Sequence, residues 1–345
     1  MNDTLSQLLE EKTLGDEGLS LLLESGDGAL VEDLHRTARE VAVENFGNEV
    51  YLRGLIEWSN ICRNDCLYCG IRKSNTLISR YSLSKEEILE ACGEVWDCGI
   101  RTFVLQGGEN PSSALRLADT VAEIHASWPG AAITLSLGEL PFETYRLLRE
   151  KGADRYLLRH ESASPSHYGM LHPEGMTLST RIRCLKALKE LGFQTGMGMM
   201  VGSPYQSTDN LIQDIRLMEA LRPEMIGIGP FVPSGGTPLE SFPQGSADTT
   251  LRLYSILRIM FPRALIPSTT ALGVILPHGT EEGILAGANV VMPSFTPTLH
   301  SPQYSLYDGK NRPSSVRGAQ QVSNLKKDLS AIGYRCPESR GDYKE

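Results

Sequence analysis

Several things are scarce in these 345 residues, and each scarcity closes off a class of function. No apolar run reaches the length of about 20 residues that a membrane-spanning helix needs. The opening Met1-Asn2-Asp3-Thr4 shows neither the basic nor the apolar region of a secretion signal, so no membrane partner is expected. Positive charge is short: 33 Lys and Arg against 42 Asp and Glu leave −9, with no basic run, which argues against nucleic acid as a main partner. Histidines number seven, and His167, His172, His278 and His300 read as loop residues without metal-ligand spacing. Seven cysteines are an odd count in a large chain, which fits a reducing cytoplasm better than a disulfide scaffold. Of these, Cys92, Cys98 and Cys184 fall in helical patterns as small buried hydrophobes. Cys336 lies in a polar tail and reads as incidental.

The other three cysteines stand together in Ser59-Asn60-Ile61-Cys62-Arg63-Asn64-Asp65-Cys66-Leu67-Tyr68-Cys69-Gly70, directly after a strand-like run. Cubane iron–sulfur clusters have four irons to ligate, so three thiolates leave one iron open. An open metal position marks catalytic rather than structural sites. A zinc loop would recruit a fourth Cys or His nearby, and the next histidine is His125. The Cys-x3-Cys-x2-Cys spacing, with Tyr68 before the third Cys, resembles the signature of radical S-adenosylmethionine (SAM) enzymes. That resemblance implies a [4Fe-4S] cluster on Cys62, Cys66 and Cys69, with SAM chelating the open iron and cleaved reductively to a 5′-deoxyadenosyl radical.

Periodicity predicts an α/β fold. Residues 1–48 read as an N-terminal helical extension, with Leu5, Leu8 and Leu9 at helical spacing, an apolar run at 19–23 and an amphipathic run at 30–46. Such helices would cover one end of a core. From residue 50 strands and helices alternate, with strands at 51–58, 102–106, 132–137, 155–159, 194–201, 225–229, 265–268 and 289–292. Ser84-Lys85-Glu86-Glu87 is a capping box that opens the first helix of the series. Eight such units, counting a C-terminal helix within 320–332 as the eighth, imply parallel strands closed into a (βα)8 TIM-type barrel over residues 49–308. Residues 309–345 form a C-terminal helix and a tail that looks frayed after Pro337.

In a parallel barrel the active site lies at the C-terminal ends of the strands. After the second strand stands Gln106-Gly107-Gly108-Glu109, where glycine permits close backbone approach and the carboxylate can accept from an ammonium. Thr134, Ser136 and Glu139 follow on and after the third. Along the fourth, Arg155, Leu157, Arg159 and Glu161 share one face by alternation. Two guanidiniums and a carboxylate pointing inward need each other or a ligand; His160 points away and reads as structural. The fifth strand carries Met197, Met199 and Met200, core filler that can also pack on a purine. Pro267-Ser268-Thr269-Thr270-Ala271 ends the seventh and Met292-Pro293 the eighth.

Several segments together resemble the HydE family of [FeFe]-hydrogenase maturases. They are Ile56-Glu57-Trp58-Ser59-Asn60-Ile61-Cys62, Asp154-Arg155-Tyr156-Leu157-Leu158-Arg159-His160-Glu161, Gly227-Ile228-Gly229-Pro230-Phe231-Val232-Pro233, Thr269-Thr270-Ala271 and Ala288-Asn289-Val290-Val291-Met292-Pro293. The likeness spans residues 48–308. It implies that Tyr68, Gly108, Glu109, Glu161, Arg181 and Met200 surround SAM, with Ser136 facing SAM or substrate. It further implies that Arg159, Thr269 and Thr270 hold a substrate carboxylate in a cavity lined by Arg155, Met292 and Tyr304. The implied substrate is a small organometallic or amino-acid-derived compound with a carboxylate. The implied partners are a reductant such as ferredoxin or flavodoxin and, transiently, other hydrogenase maturases. Two departures stand out: residues 309–335 hold no cysteine for an accessory cluster, and Gly107 stands where family members tend to have Ser. Methylornithine synthase chemistry on an amino acid, or a non-catalytic iron–sulfur scaffold, are the competing readings.

Overall fold

The computed structural model of the chain describes residues 2–310 and 316–344; residues 311–315, within the expected C-terminal segment, lie outside the described residues. Three helices open the chain: α1 (Asp3–Glu11), α2 (Asp16–Glu24) and α3 (Gly28–Phe46). The Asn2 side chain caps the first and the Asp27 carboxylate the third, each accepting from otherwise orphaned first-turn amides. Their leucine stripes are buried. The surface they cover is the flank of the barrel rather than an end. Arg216 donates to Asp16 (2.6 Å) and Leu14 O, Arg252 to Ser25 O (2.8 Å), and His35 meets Ser255 (2.8 Å). All three partners sit on barrel helices, so the expectation of an end cap is corrected.

The barrel follows in order: β1 (Tyr51–Leu52), β2 (Gly54–Ser59), α4 (Lys85–Asp97), β3 (Thr102–Gly107), α5 (Pro111–Ser127), β4 (Ala132–Ser136), α6 (Phe142–Glu150) and β5 (Arg155–Leu157). Next come α7 (Pro165–Leu171), α8 (Leu178–Glu190), β6 (Gln194–Met197), β7 (Met200–Val201), α9 (Thr208–Leu221), β8 (Met225–Ile226), β9 (Gly229–Pro230) and α10 (Ala247–Met260). Short helices α11 (Thr270–Ile275) and α12 (Gly279–Leu285), strand β10 (Val290–Val291) and α13 (Gly318–Ala331) complete it. Every pairing between named strands is parallel, in the order β2-β3-β4-β5-β6-β8 with β7-β9 and β1-β10 alongside. The seventh strand survives as bridges from Leu265 to Met225 and from Pro267 to Val290, and Leu55 meets Ser294, which closes the ring. The expected (βα)8 barrel is present.

Two of the expected strands are interrupted in the middle, β6 from β7 and β8 from β9, where the chain segments approach closely. A Cβ on Gly198 would lie 1.9 Å from the Gly227 carbonyl oxygen, so the two chains touch where side chains would normally separate them. The capping box at Ser84 and Glu87 forms as expected. Helix α13 packs against α4 and completes the helical layer.

The tail beyond Pro337 is not frayed. Arg340 donates to Asp154 (2.7 Å) and Ala131 O (3.1 Å), and a Cβ on Gly341 would touch the Tyr51 ring. Asp342 accepts from Arg155 at 2.6 Å. Polar composition disguised a segment whose charges are spent inside the protein: it forms the barrel's floor.

Candidate active site

The loop between β2 and α4 has almost no regular structure, so its carbonyls need donors from elsewhere. Arg80 supplies them, donating to the carbonyls of Asn60, Ile71, Arg72, Lys73 and Asn75 at 2.5–3.3 Å. Asn60, fully buried, ties the loop's start to Ser79 O and Gln303 O, both at 2.8 Å. On this frame Cys62, Cys66 and Cys69 line a cavity of about 290 Å³ at the C-terminal mouth of the barrel.

All seven cysteines are free thiols. Burial, then mutual repulsion with Cys69 and Cys62, drives the Cys66 thiol far above its ordinary range. Burial and the Cys62 charge push Cys69 up to about 12. Three thiols crowded in a dry site ionise together only beside a compensating cation, which fits an iron–sulfur cluster. Among the described residues no three His, Cys, Asp or Glu side chains converge to share a single ion. A cubane asks one thiolate of each iron, so separate thiols around a cavity suit it. Gly108 completes the cradle: a Cβ there would meet Ile61 O at 2.6 Å and Cys62 Cβ at 2.9 Å.

Carboxylates and guanidiniums form a second tier. Glu109 accepts from Arg63 Nε at 2.8 Å and from the Glu139 amide at 2.7 Å. Glu139 in turn accepts from Arg181 Nε at 2.7 Å, and Arg181 Nη1 donates to Arg159 O at 2.9 Å. Burial works against the Arg181 charge, but Tyr168 and Glu139 outweigh it and hold the guanidinium ionised. Arg181 stands on α8 yet reaches the cavity, as do Glu109, Ser136, Met200 and Tyr68. Burial drives the Tyr68 hydroxyl upward, so it stays protonated. It meets His172 Nε2 at 3.3 Å, while His172 Nδ1 faces Tyr168 O at 2.9 Å. The carbonyl claims the ring proton, leaving Nε2 to accept from Tyr68. Burial depresses His172 to about 3, so the ring is neutral.

Glu161 lies beyond the end of β5 and does not continue its extended backbone. Its φ is +64°, the left-handed region that a residue with a Cβ avoids. The turn carries its carboxylate to the cavity, where Arg159 Nη2 donates to it at 2.9 Å.

Thr269, Thr270, Met292, Tyr304 and Tyr307 also line this cavity. Thr269 stands just before α11 without capping it through its side chain, and its Oγ1 is 3.4 Å from the Tyr254 hydroxyl. Thr270 Oγ1 meets the Tyr307 hydroxyl at 2.6 Å. The Arg159 Nε is buried with no partner among the described residues. Lys310 closes the wall, ion-paired to buried Glu57 on β2, with its ammonium 4.7 Å from the Tyr304 ring centre.

Of the expected site residues, one is misplaced. Arg155 does not reach the cavity. Alternation puts it on the inward face with Leu157 and Arg159, but it starts the strand, so its guanidinium points to the floor. There it donates to Thr102, Gln194, the carbonyls of Arg340 and Gly341, and Asp342. Arg63, Lys310 and Tyr307 escape the sequence reading; Arg63, lying between two cluster cysteines, has the most readable signal. His160 is structural as expected, paired with Asp214 at 3.1 Å. The expectation of loop positions for His167 and His172 is corrected: His167 lies on α7 and His172 ends it. The Gly107 departure has a local cause: a Cβ there would sit 2.4 Å from Trp58 Nε1.

Known proteins are similar to this chain in sequence and in fold. The radical SAM superfamily model matches residues 56–218. The [FeFe] hydrogenase maturase subunit HydE of Thermotoga maritima is 43% identical over 88% of this chain and 86% of its own. The 3-methylornithine synthase of Methanosarcina acetivorans is 33% identical over 83% of this chain and 81% of its own. A crystal structure of methylornithine synthase superposes with a TM-score of 0.84 at 29% identity, covering 97% of each chain.

Proposed function

The chain belongs to the HydE family within the radical SAM superfamily, and from that premise we propose that it is an [FeFe]-hydrogenase maturase acting on a small carboxylate-bearing substrate. As a radical SAM enzyme it uses a [4Fe-4S] cluster and SAM. Bound there, the cluster supplies the electron that cleaves SAM to methionine and a 5′-deoxyadenosyl radical. One observation carries the proposal: a single cavity joins the three thiols to the Arg159, Thr269 and Thr270 side chains.

In this reading the protein's work is orientation and seclusion. Cys62, Cys66 and Cys69 hold the cluster, and the Arg63-braced Glu109 carboxylate takes the SAM ammonium. Glu161 takes the ribose hydroxyls, Arg181 the SAM carboxylate, and Met200 and Tyr68 pack beside them. Arg159, whose Nε has no partner among the described residues, and the two threonine hydroxyls fix the substrate carboxylate, while Met292, Tyr304 and Tyr307 wall the space from water. The chemistry belongs to the barrel of residues 49–308, braced by the two terminal extensions. A one-electron carrier of the ferredoxin or flavodoxin kind in a reducing cytoplasm fits the free thiols, with other maturases as transient partners. Among the described residues no helix is long and apolar enough to cross a membrane.

The amino-acid reading keeps one specific support, since a guanidinium with two hydroxyls suits any carboxylate. The deciding experiment has two stages. Anaerobically reconstituted protein, once reduced, should release 5′-deoxyadenosine from SAM, and Cys66→Ser should abolish this. The protein should also restore activity to hydrogenase expressed without its own HydE. Undiminished cleavage by Cys66→Ser removes the cluster assignment; cleavage without maturation moves the substrate to the amino-acid class.

A further inference from the structure

Behind Glu161 lies a buried polar network that the cavity chemistry does not use. His160 and Asp214 are both fully buried, the first just before the turn and the second in the middle of α9. The Gly198 amide donates to His160 Nδ1 at 3.3 Å, so the ring proton sits on Nε2 and is aimed at Asp214 Oδ1, 3.1 Å away. The same oxygen accepts from the Ala163 amide at 2.5 Å. One carboxylate oxygen therefore grips the chain on both sides of Glu161. The circuit closes through Gly198, whose carbonyl accepts the Glu161 amide at 3.0 Å.

A left-handed conformation at a residue with a Cβ persists only where its surroundings impose it. Here the imposing groups are His160, Gly198 and Asp214. The network runs on towards the cluster loop. Ser162 Oγ meets His167 Nδ1 at 2.9 Å, and His167 Nε2 faces Pro204 O at 3.0 Å, which pins the start of α7. The far end of that helix accepts the Leu67 amide at Leu171 O (2.9 Å), one residue after Cys66. Tyr68 then leans on His172.

We infer that the His160–Asp214 pair is a positioning device that sets Glu161 in its left-handed turn and, through α7, keeps it in register with the cluster loop. The inference rests on the reading of Glu161 as a SAM contact. Neither residue touches the cavity, so both act through Glu161.

The test uses anaerobically reconstituted, cluster-loaded protein. It measures SAM affinity by equilibrium dialysis, the change in the reduced cluster's paramagnetic resonance spectrum on adding SAM, iron content and melting temperature. Asp214→Ala should weaken SAM binding by about tenfold or more, the range found when groups supporting a ligand are removed. The spectral response to SAM should shrink at equal iron content. Asp214→Asn keeps an oxygen for both donors and should restore affinity and spectrum. If Asp214→Ala does not fold, His160→Asn takes its place, since it keeps the acceptor for Gly198 and loses the donor to Asp214. A lowered melting temperature with unchanged SAM affinity in the folded variant overturns the inference and leaves the pair a packing element. Weakened binding in Glu161→Gln beside unchanged binding in Asp214→Ala overturns the brace alone. Unchanged binding in Glu161→Gln overturns both the brace and the reading beneath it.

Discussion

Arg159 and Arg155 lie four residues apart on one inward face, and they meet opposite fates. Arg155, fully buried, spends its guanidinium on Thr102, Gln194, two tail carbonyls and the Asp342 carboxylate. Arg159 keeps 30% of its side chain exposed to the cavity, shares Glu161 at 2.9 Å, and leaves Nε without a partner among the described residues. A buried charge whose donors are all used is structure; one left partly unused faces something that is absent. Residue type and alternation are the same at both positions. The difference is axial: one arginine starts the strand and the other stands beyond its end.

The sharpest way to test that contrast is to make the same change at both. A guanidinium matches a carboxylate bidentately and Lys acts as a point charge. Arg159→Lys should therefore keep iron and SAM affinity but lose productive turnover. Truncating one partner of a buried charged hydrogen bond costs about 2–5 kcal/mol, roughly thirty-fold or more. Arg155→Lys should do the reverse, lowering the unfolding midpoint by a comparable free energy while SAM binding in the folded protein stays put. Equal losses of turnover from the two folded variants would erase the distinction between mouth and floor.

A smaller effect is expected where packing rather than charge shapes the mouth. Gly107→Ser drives a Cβ against the Trp58 indole and should destabilise by about 1–3 kcal/mol. Trp58→Phe in the same chain should recover most of that loss, a non-additivity expected of residues in contact. Simple additivity, read from denaturant midpoints, would show that the two positions do not compete for space.

The smallest effect belongs to the floor's exposed edge. Burial raises the Asp342 carboxyl, but hydrogen bonds from Arg340 and the Arg155 charge outweigh it and leave it below the ordinary value of 3.8. A carboxyl depressed on folding contributes stability in full above 3.8 and loses it as pH falls through the folded value. With 34% of its side chain exposed, screening limits the contribution to about 1 kcal/mol. Asp342→Asn should lower the melting temperature slightly at neutral pH and converge with the unaltered protein in strong acid. Parallel curves down to low pH would assign the acid limb to other groups.

Much of the mouth was legible because its chemistry is local. The cluster cysteines share one loop, Gly108 and Glu109 are consecutive, and Thr269 and Thr270 end one strand. What escaped depended on distance in the chain. Arg63 binds Glu109 across 46 residues and Lys310 binds Glu57 across 253, and neither pairing leaves a periodic trace. Alternation gave Arg155 the right face, but no pattern in the strand says how far along the barrel a side chain lies. Alternation makes Glu161 extended, and nothing in Arg159-His160-Glu161 announces its left-handed turn; the groups hydrogen-bonded around it, Gly198 and Asp214, lie elsewhere in the chain. The tail misled for the opposite reason. Arg340 and Asp342 look solvated until their partners, Asp154 and Arg155, are known.

The floor also has a kinetic meaning. Arg53 approaches the Gly341 carbonyl across 288 residues, and Arg155 meets Asp342 across 187. Bringing such distant segments together costs loop entropy before any contact rewards it, so these bonds belong among the last to form. Contacts made after the rate-limiting step slow unfolding and leave folding almost unchanged. In Asp342→Asn the same logic places the loss in a faster unfolding limb at an unaltered refolding rate. The segment that seals the barrel thus governs how long the folded enzyme lasts more than how quickly it is made.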